Sequence, residues 1–222
     1  MGDRWYRSHF PSSAAARRAR RRAGGPVACG EASPYYLYHP LAPARAAATV
    51  PDALVVVLLR DPVERAFSHW KERSQHTETL PFEAAVEAES VRCAGELERI
   101  LADPIYVSFA HRHQSYIDQG RYAPMLERWF DAFGRERVLV GVSEEMYADP
   151  QTFYDQITDR LGLGRHRLCD VEAYNAETAP EMSHELRQRL TELFRPDVDA
   201  VAAQLGRPMP WLSLSANKES SA

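Results

Sequence analysis

Lysine is nearly missing from this chain: of 27 basic residues among 222, only Lys71 and Lys218 are lysines. Arginine carries a permanent charge and forks onto oxyanions, whereas lysine supplies the compact point charge typical of phosphate loops. No G-x-x-x-x-G-K-[ST] pattern occurs, which counts against a nucleotide kinase of the P-loop type. Cysteine is also scarce. Cys29, Cys93 and Cys169 lie far apart with no C-x-x-C spacing, which excludes a disulfide framework and a cysteine metal site and suits reduced, partly buried thiols in a cytoplasmic protein. No apolar run approaches the ~20 residues of a membrane span, and the N-terminus lacks the apolar core of a secretory signal. Acidic residues number 31 and the net charge is −4, so a general nucleic-acid binder is not expected. With 45% hydrophobic and 26% charged residues, the chain has the composition of one globular α/β domain. Its arginine- and alanine-rich make-up suits a GC-rich bacterial genome.

What the chain does have is a concentrated signal from Leu54 to Trp70. Six apolar residues, Leu54 to Leu59, suit a strand covered on both faces. Arg60 follows at the strand's carboxyl end. Asp61 is a good N-cap, Pro62 suits the first helical position, and Glu64 completes a capping-box pattern. Val63, Ala66, Phe67 and Trp70 share one helical stripe, and Ser68 falls on another flank, above Asp61. A guanidinium and a hydroxyl are thereby held beside the crevice where open α/β sheets bind ligands, both able to donate to an anion.

The run Leu59-Arg60-Asp61-Pro62-Val63-Glu64-Arg65-Ala66-Phe67-Ser68-His69-Trp70 resembles the 3′-phosphate-binding segment of sulfotransferases that use 3′-phosphoadenosine 5′-phosphosulfate (PAPS), in particular the heparan-sulfate-type and related bacterial branch. Gly120 to Trp129 is similar to that family's G-x-Y…L-x-x-W helix. Val138 to Pro150 resembles its strand–E–x–L/Y–x–x–D–P segment, and Pro196 to Trp211 its closing helix and terminal Trp. The resemblance runs from about Trp5 to Trp211. It implies an α/β fold, a P-loop-NTPase-like sandwich with a parallel sheet flanked by helices. It also implies Arg60 and Ser68 as ligands of the nucleotide 3′-phosphate, PAPS as cosubstrate without a metal, and a carbohydrate, lipid or small-molecule acceptor.

Residues 1–30 read as irregular, with a basic run at Arg17, Arg18, Arg20, Arg21 and Arg22. That run is either a patch for an acidic substrate or a solvated helix end or loop. Residues 82–102 suit one helix with Phe82, Val86, Leu97, Ile100 and Leu101 toward the core. Residues 122–133 suit an amphipathic helix ended by Gly134, and Val138 to Val142 a second buried strand. Asp149 and Pro150 start a helix carrying Phe153, Ile157 and Leu161 that Gly162 closes. Two more helices are expected at 183–194 and 197–205. A single domain over residues 1–212 and a disordered tail over 213–222 complete the organisation.

Three departures from the resembled pattern qualify the expectation. The family's N-terminal strand with its Gly/Lys loop for the 5′-phosphosulfate is not found, and Gly24-Gly25-Pro26 is no substitute. The fold is therefore expected to be N-terminally incomplete, by ~40–50 residues on usual unit lengths. Glu31-Ala32-Ser33-Pro34 stands where the family often has E-K-[ST]-P, which leaves Glu31 as the catalytic base or substrate-orienting candidate, or a turn carboxylate. Arg165 and Arg167 stand near the place of a late Lys-Gly-aromatic loop, as cofactor contacts or solvated charges. His69 reads as a packed or surface residue. His111 and His113 would share a face only on a strand. The function expected is sulfo transfer from PAPS to a hydroxyl or amine. The alternative is a catalytically inactive, nucleotide-binding remnant, and no membrane span or nucleic-acid partner is expected.

Overall fold

The computed structural model describes residues 3–169 and 182–212. In chain order it contains α1 (Asp3–Arg7), α2 (Ser13–Ala23), α3 (Pro34–Tyr38), α4 (Ala42–Thr49), β1 (Val55–Leu59), α5 (Pro62–Ser74), α6 (Phe82–Arg92) and α7 (Glu96–Ala102). These are followed by α8 (Phe109–His113), α9 (Tyr122–Phe133), β2 (Val138–Val142), α10 (Ser143–Ala148), α11 (Pro150–Arg160) and α12 (His184–Leu205). Among the described residues the sheet is β1 and β2, paired in parallel with Val55 opposite Val138 and Leu59 opposite Val142. This is the α/β class with a parallel sheet flanked by helices. The proposed tail, 213–222, lies outside the described residues.

Residues paired across a parallel ladder point to the same side. Val57 and Leu59 with Val142 therefore form one face, buried in a core that also holds Val63, Leu126, Trp129, Phe194 and Val198. The other face carries Val56 and Leu58 beside Leu139 and Gly141. Here the expectation of a strand covered on both sides fails: Val56 is 42% and Leu58 40% exposed. α11 covers only the β2 half. A Cβ on Gly141 would overlap the Phe153 ring, so glycine is what lets that helix approach.

Several boundaries follow local chemistry. β2 and α9 occupy the expected residues, and α9 ends at Gly134 with φ 78. α11 begins at Pro150 with the Asp149 carboxylate accepting from the Thr152 amide. Other expectations are corrected. The stretch read as irregular holds α1 and α2: Ser12 caps α2, alanines favour it, and Gly24 ends it in the left-handed region at φ 68. The helix expected over 82–102 is divided by Gly95, φ 73, into α6 and α7. That turns Leu97 and Leu101 outward, at 44% and 53% exposed. Leu161 is also exposed, at 37%. Cys29 and Cys169 are exposed rather than partly buried.

The two helices expected at the C-terminal end are one. α12 runs through Pro196, because Leu186, Leu190, Phe194, Val198 and Val201 form one buried stripe. Breaking it would expose several large side chains at about 1.5–3 kcal/mol each, which outweighs the ~3 kcal/mol cost of an interior proline.

Gly141→Ala is expected to lower stability by about 1–3 kcal/mol through overpacking against Phe153. Thermal denaturation of the two proteins checks this, and an unchanged midpoint would contradict the described packing.

Candidate functional site

The site begins where β1 ends. The Asp61 carboxylate accepts the amides of Val63 (2.8 Å) and Glu64 (3.3 Å), which starts α5. Burial raises the Asp61 pKa, and these two bonds oppose the rise. The capping box expected from sequence is half formed. Glu64 does not return to the Asp61 amide; it pairs with Arg187 of α12 at 2.5 Å. The Asp61 N–H donates instead to Glu144 Oε1 of α10 at 2.9 Å.

The carbonyl on the other end of that peptide is held as well. Tyr122 Oη at the start of α9 donates to the Arg60 oxygen at 2.9 Å. One peptide group, Arg60–Asp61, is thus fixed from two distant elements. Both holding side chains are themselves held. The second Glu144 oxygen accepts the indole N–H of Trp211 at 3.1 Å. Asp197 of α12 accepts the Tyr122 and Ala123 amides at 2.8 and 3.1 Å. Sequence reading marked Tyr122, Glu144, Asp197 and Trp211 only as parts of similar segments and gave none of them this role. Their partners lie 62 to 83 residues away, beyond any local pattern.

With its backbone fixed, Arg60 extends an exposed guanidinium that makes no hydrogen bond or ion pair among the described residues. Ser68 is exposed on α5, with a hydroxyl equally without a described partner. It lies seven positions past Asp61, which returns it to within about 20° of the same side and ~10 Å further along the axis. Beneath them Arg65 donates to the Tyr116 carbonyl, and the Arg65 Nε and His69 Nδ1 atoms are buried without a described partner. His69 packs against the Tyr116 ring, and burial followed by the charge of Arg65 lowers its pKa to about 4. It is a packed histidine, one of the two readings its sequence context left open.

Glu31 lies elsewhere, between α2 and α3. It is exposed and accepts the Tyr6 hydroxyl at 3.1 Å. The Tyr6 pKa is raised to about 12, by burial first and then by this bond. Tyr36 is similarly raised by its burial and by the charge of Glu31. No hydrogen bond or ion pair joins Glu31 to Arg60 or Ser68. Neighbouring Tyr35 shares a 2.8 Å hydrogen bond with Nδ1 of buried His111, while His113 meets Arg73. The two histidines diverge because α8 is a helix. Arg165 pairs with Asp159 at 3.4 Å and, with Arg167, lines an open cleft of about 630 Å³ beside Pro150, apart from Arg60 and Ser68.

One carboxyl supports this region from below. Glu89 of α6 accepts the amides of Ile117 and Asp118 at 2.7 and 2.9 Å, holding the turn next to Tyr116. Burial raises its pKa to about 7, against the pull of the two amides.

Fold and site together define an α/β protein whose strand exit and following helix carry exposed hydrogen-bond donors without partners among the described residues. No family model matches the chain. Heparan sulfate N-deacetylase/N-sulfotransferase 1 of Caenorhabditis elegans, a bifunctional protein, is 28% identical over 221 residues, 90% of this chain and 23% of that protein. Heparan sulfate glucosamine 3-O-sulfotransferase 3B1 of Homo sapiens is 27% identical over 220 residues, 88% of this chain and 50% of that protein. The chain thus spans about a quarter to a half of the length of these curated relatives. The crystal structure of a sulfotransferase from Alicyclobacillus acidocaldarius is 31% identical, with a TM-score of 0.67, and covers 90% of this chain and 73% of its own. The chain belongs to the sulfotransferase family.

Two outcomes test this network. Glu144→Ala leaves the Asp61 amide and the Trp211 indole unpartnered and is expected to cost about 1–3 kcal/mol in urea denaturation. Glu144→Gln keeps one acceptor and should cost less; equal costs would contradict the bonding described. For Glu89 the folded state holds the proton more tightly than the unfolded one. Its contribution is full below the usual carboxylate range and is lost as pH rises through about 7. Glu89→Gln should therefore remove a decline on the order of 1–3 kcal/mol between pH 5 and 8. The comparison is between the two proteins, because His69 and His111, both lowered to about 4, act with opposite sign below their unfolded range.

Proposed function

We propose that this chain transfers the sulfo group of PAPS to a hydroxyl or amine of a carbohydrate acceptor, with Arg60 and Ser68 holding the donor's 3′-phosphate. The observation that carries this reading is the fixed Arg60–Asp61 peptide, from which the Arg60 guanidinium projects without a described partner at the start of α5, with the Ser68 hydroxyl, also without a described partner, two turns along the same side of the helix. Charge-assisted bonds from such donors to a phosphate are about twice as strong as neutral ones. Because the Arg60 backbone is fixed before the nucleotide arrives, less of its ordering cost is left to binding. Sulfotransferase relatives that act on heparan sulfate support a carbohydrate acceptor.

In the reaction the acceptor oxygen or nitrogen attacks sulfur, and the bond from sulfur to the 5′-phosphate oxygen breaks. Adenosine 3′,5′-bisphosphate leaves with the bonding electrons. Glu31 takes the acceptor's proton in this reading, its carboxylate oriented by Tyr6. The protein's contribution is then positioning and charge stabilisation, as in phosphoryl transfer. No helix among the described residues is long and apolar enough to cross a membrane. The three free thiols support a reducing compartment, and we place the enzyme in a bacterial cytoplasm.

Calorimetry with adenosine 3′,5′-bisphosphate tests the assignment. Arg60→Ala is expected to weaken binding by about 1.5–3 kcal/mol and Ser68→Ala by about 0.5–1.5 kcal/mol. Glu31→Gln should leave this affinity intact while lowering labelled-sulfate transfer from PAPS. An Arg60→Ala protein that binds the nucleotide as well as the parent rejects the reading.

A further inference from the structure

α2 is the least explained element of the fold. It buries no residue, and its sequence, Ser13 to Ala23, contains five arginines and no acidic side chain. At about 100° per residue, Arg17, Arg18, Arg20, Arg21 and Arg22 fall on one arc of roughly 200°, while Ala15, Ala16, Ala19 and Ala23 take the remainder. All five arginines are exposed, and none makes a hydrogen bond or ion pair among the described residues. Favourable interaction with the helix C-terminus explains a charge or two in the last turn. It does not explain five, because Arg17 with Arg21 and Arg18 with Arg22 are like-charged pairs at i, i+4, each of which destabilises a helix by a few tenths of a kcal/mol. An 11-residue helix without a buried face has little to offset this.

The position of the helix matters as much as its charge. Tyr6 lies before it and Glu31 after it, and their hydrogen bond closes the base of the excursion. Arg7 ties the same base to α4 through the Thr49 carbonyl at 2.8 Å. Both ends of the excursion that carries α2 thus meet at Glu31, and the five arginines are concentrated there on a molecule whose overall charge is −4.

We propose that α2 is a docking rail for an anionic polysaccharide, a chain carrying carboxylates or sulfates whose acceptor unit is thereby held near Glu31. The proposal rests on the sulfotransferase reading above, but α2 is separate from the donor residues Arg60 and Ser68. A polysaccharide is favoured over a nucleic acid because the rail carries no aromatic side chain on which bases stack. Such a glycan also offers the hydroxyls or amines that the reaction consumes.

The test uses the full chain and a heparin oligosaccharide as probe, titrated at several salt concentrations. An uncharged dextran oligosaccharide, single-stranded DNA of equal charge and phosphatidylserine-containing vesicles serve as comparators. Heparin should bind with steep salt dependence and ahead of all three. The R17Q/R18Q/R20Q/R21Q/R22Q variant should bind it at least about 30-fold more weakly, with a salt slope shallower by about 3–5, because the counterion release those charges drive is lost. The corresponding all-lysine variant should retain most of the affinity. Adenosine 3′,5′-bisphosphate should bind all forms equally, which also reports an intact fold. Unchanged heparin affinity in the glutamine variant overturns the proposal, as does tighter binding of DNA or vesicles. Loss of nucleotide affinity in the glutamine variant alone would make α2 part of the donor site and overturns it too. Failure of every form to bind the nucleotide, with heparin binding intact, rejects the donor assignment instead and leaves the rail standing.

Discussion

The Arg60–Asp61 peptide is the constraint on which the site depends. Its carbonyl is held by Tyr122 and its amide by Glu144, so α9 and α10 together set the backbone from which Arg60 projects. A side chain aimed at an anion is only as well placed as the backbone beneath it. Arginine has many rotamers, and fixing the first atoms of the chain is the cheapest way to restrict where its far end samples. The two holding groups are secured in turn, Tyr122 through the amide cap that Asp197 supplies and Glu144 through Trp211. The closing helix and the residues after it thus reach back to the exit of the first strand.

This arrangement also explains why the capping box is incomplete. A helix start of this kind satisfies its own amides when it stands alone. Here the Asp61 amide is taken by a carboxylate from another element, and Glu64 is released to pair with Arg187. A local device has been exchanged for two tertiary contacts that bind α10 and α12 to α5. The strand pair gains from the same economy of elements. α11 approaches β2 at Gly141 but leaves the Val56 and Leu58 side of β1 open, so the sheet is sided by its neighbours and not by its own composition.

Much of the scaffold was legible because its signals are local. Asp61 with Pro62, Asp149 with Pro150 and Gly134 mark helix ends within a few residues, and the amphipathic stripe of α9 gave its limits. Arg60 and Ser68 were legible as candidates for the same reason, since strand exit and helix flank follow from spacing. Where the reading failed, longer contacts decided. Gly95 divides a helix that composition alone would continue, and Pro196 fails to divide α12 because the stripe from Leu186 to Val201 is buried along its whole length. In the N-terminal region the alanines and the Ser12 cap of α2 carried a helical signal that the run of charge obscured.

By itself the sequence determined the strand–helix unit at Leu54 to Trp70, the placing of Arg60 at the strand exit and Ser68 on the helix flank, and the resemblance that the 31% identity to a solved sulfotransferase bears out. These depend on neighbours within two or three turns. Only the tertiary structure decided which groups hold the Arg60 backbone, which side of β1 is covered, and that Glu31 is bonded to Tyr6. Each of these joins residues 25 or more positions apart or depends on how helices pack over the sheet, and neither periodicity nor capping chemistry carries information over that separation.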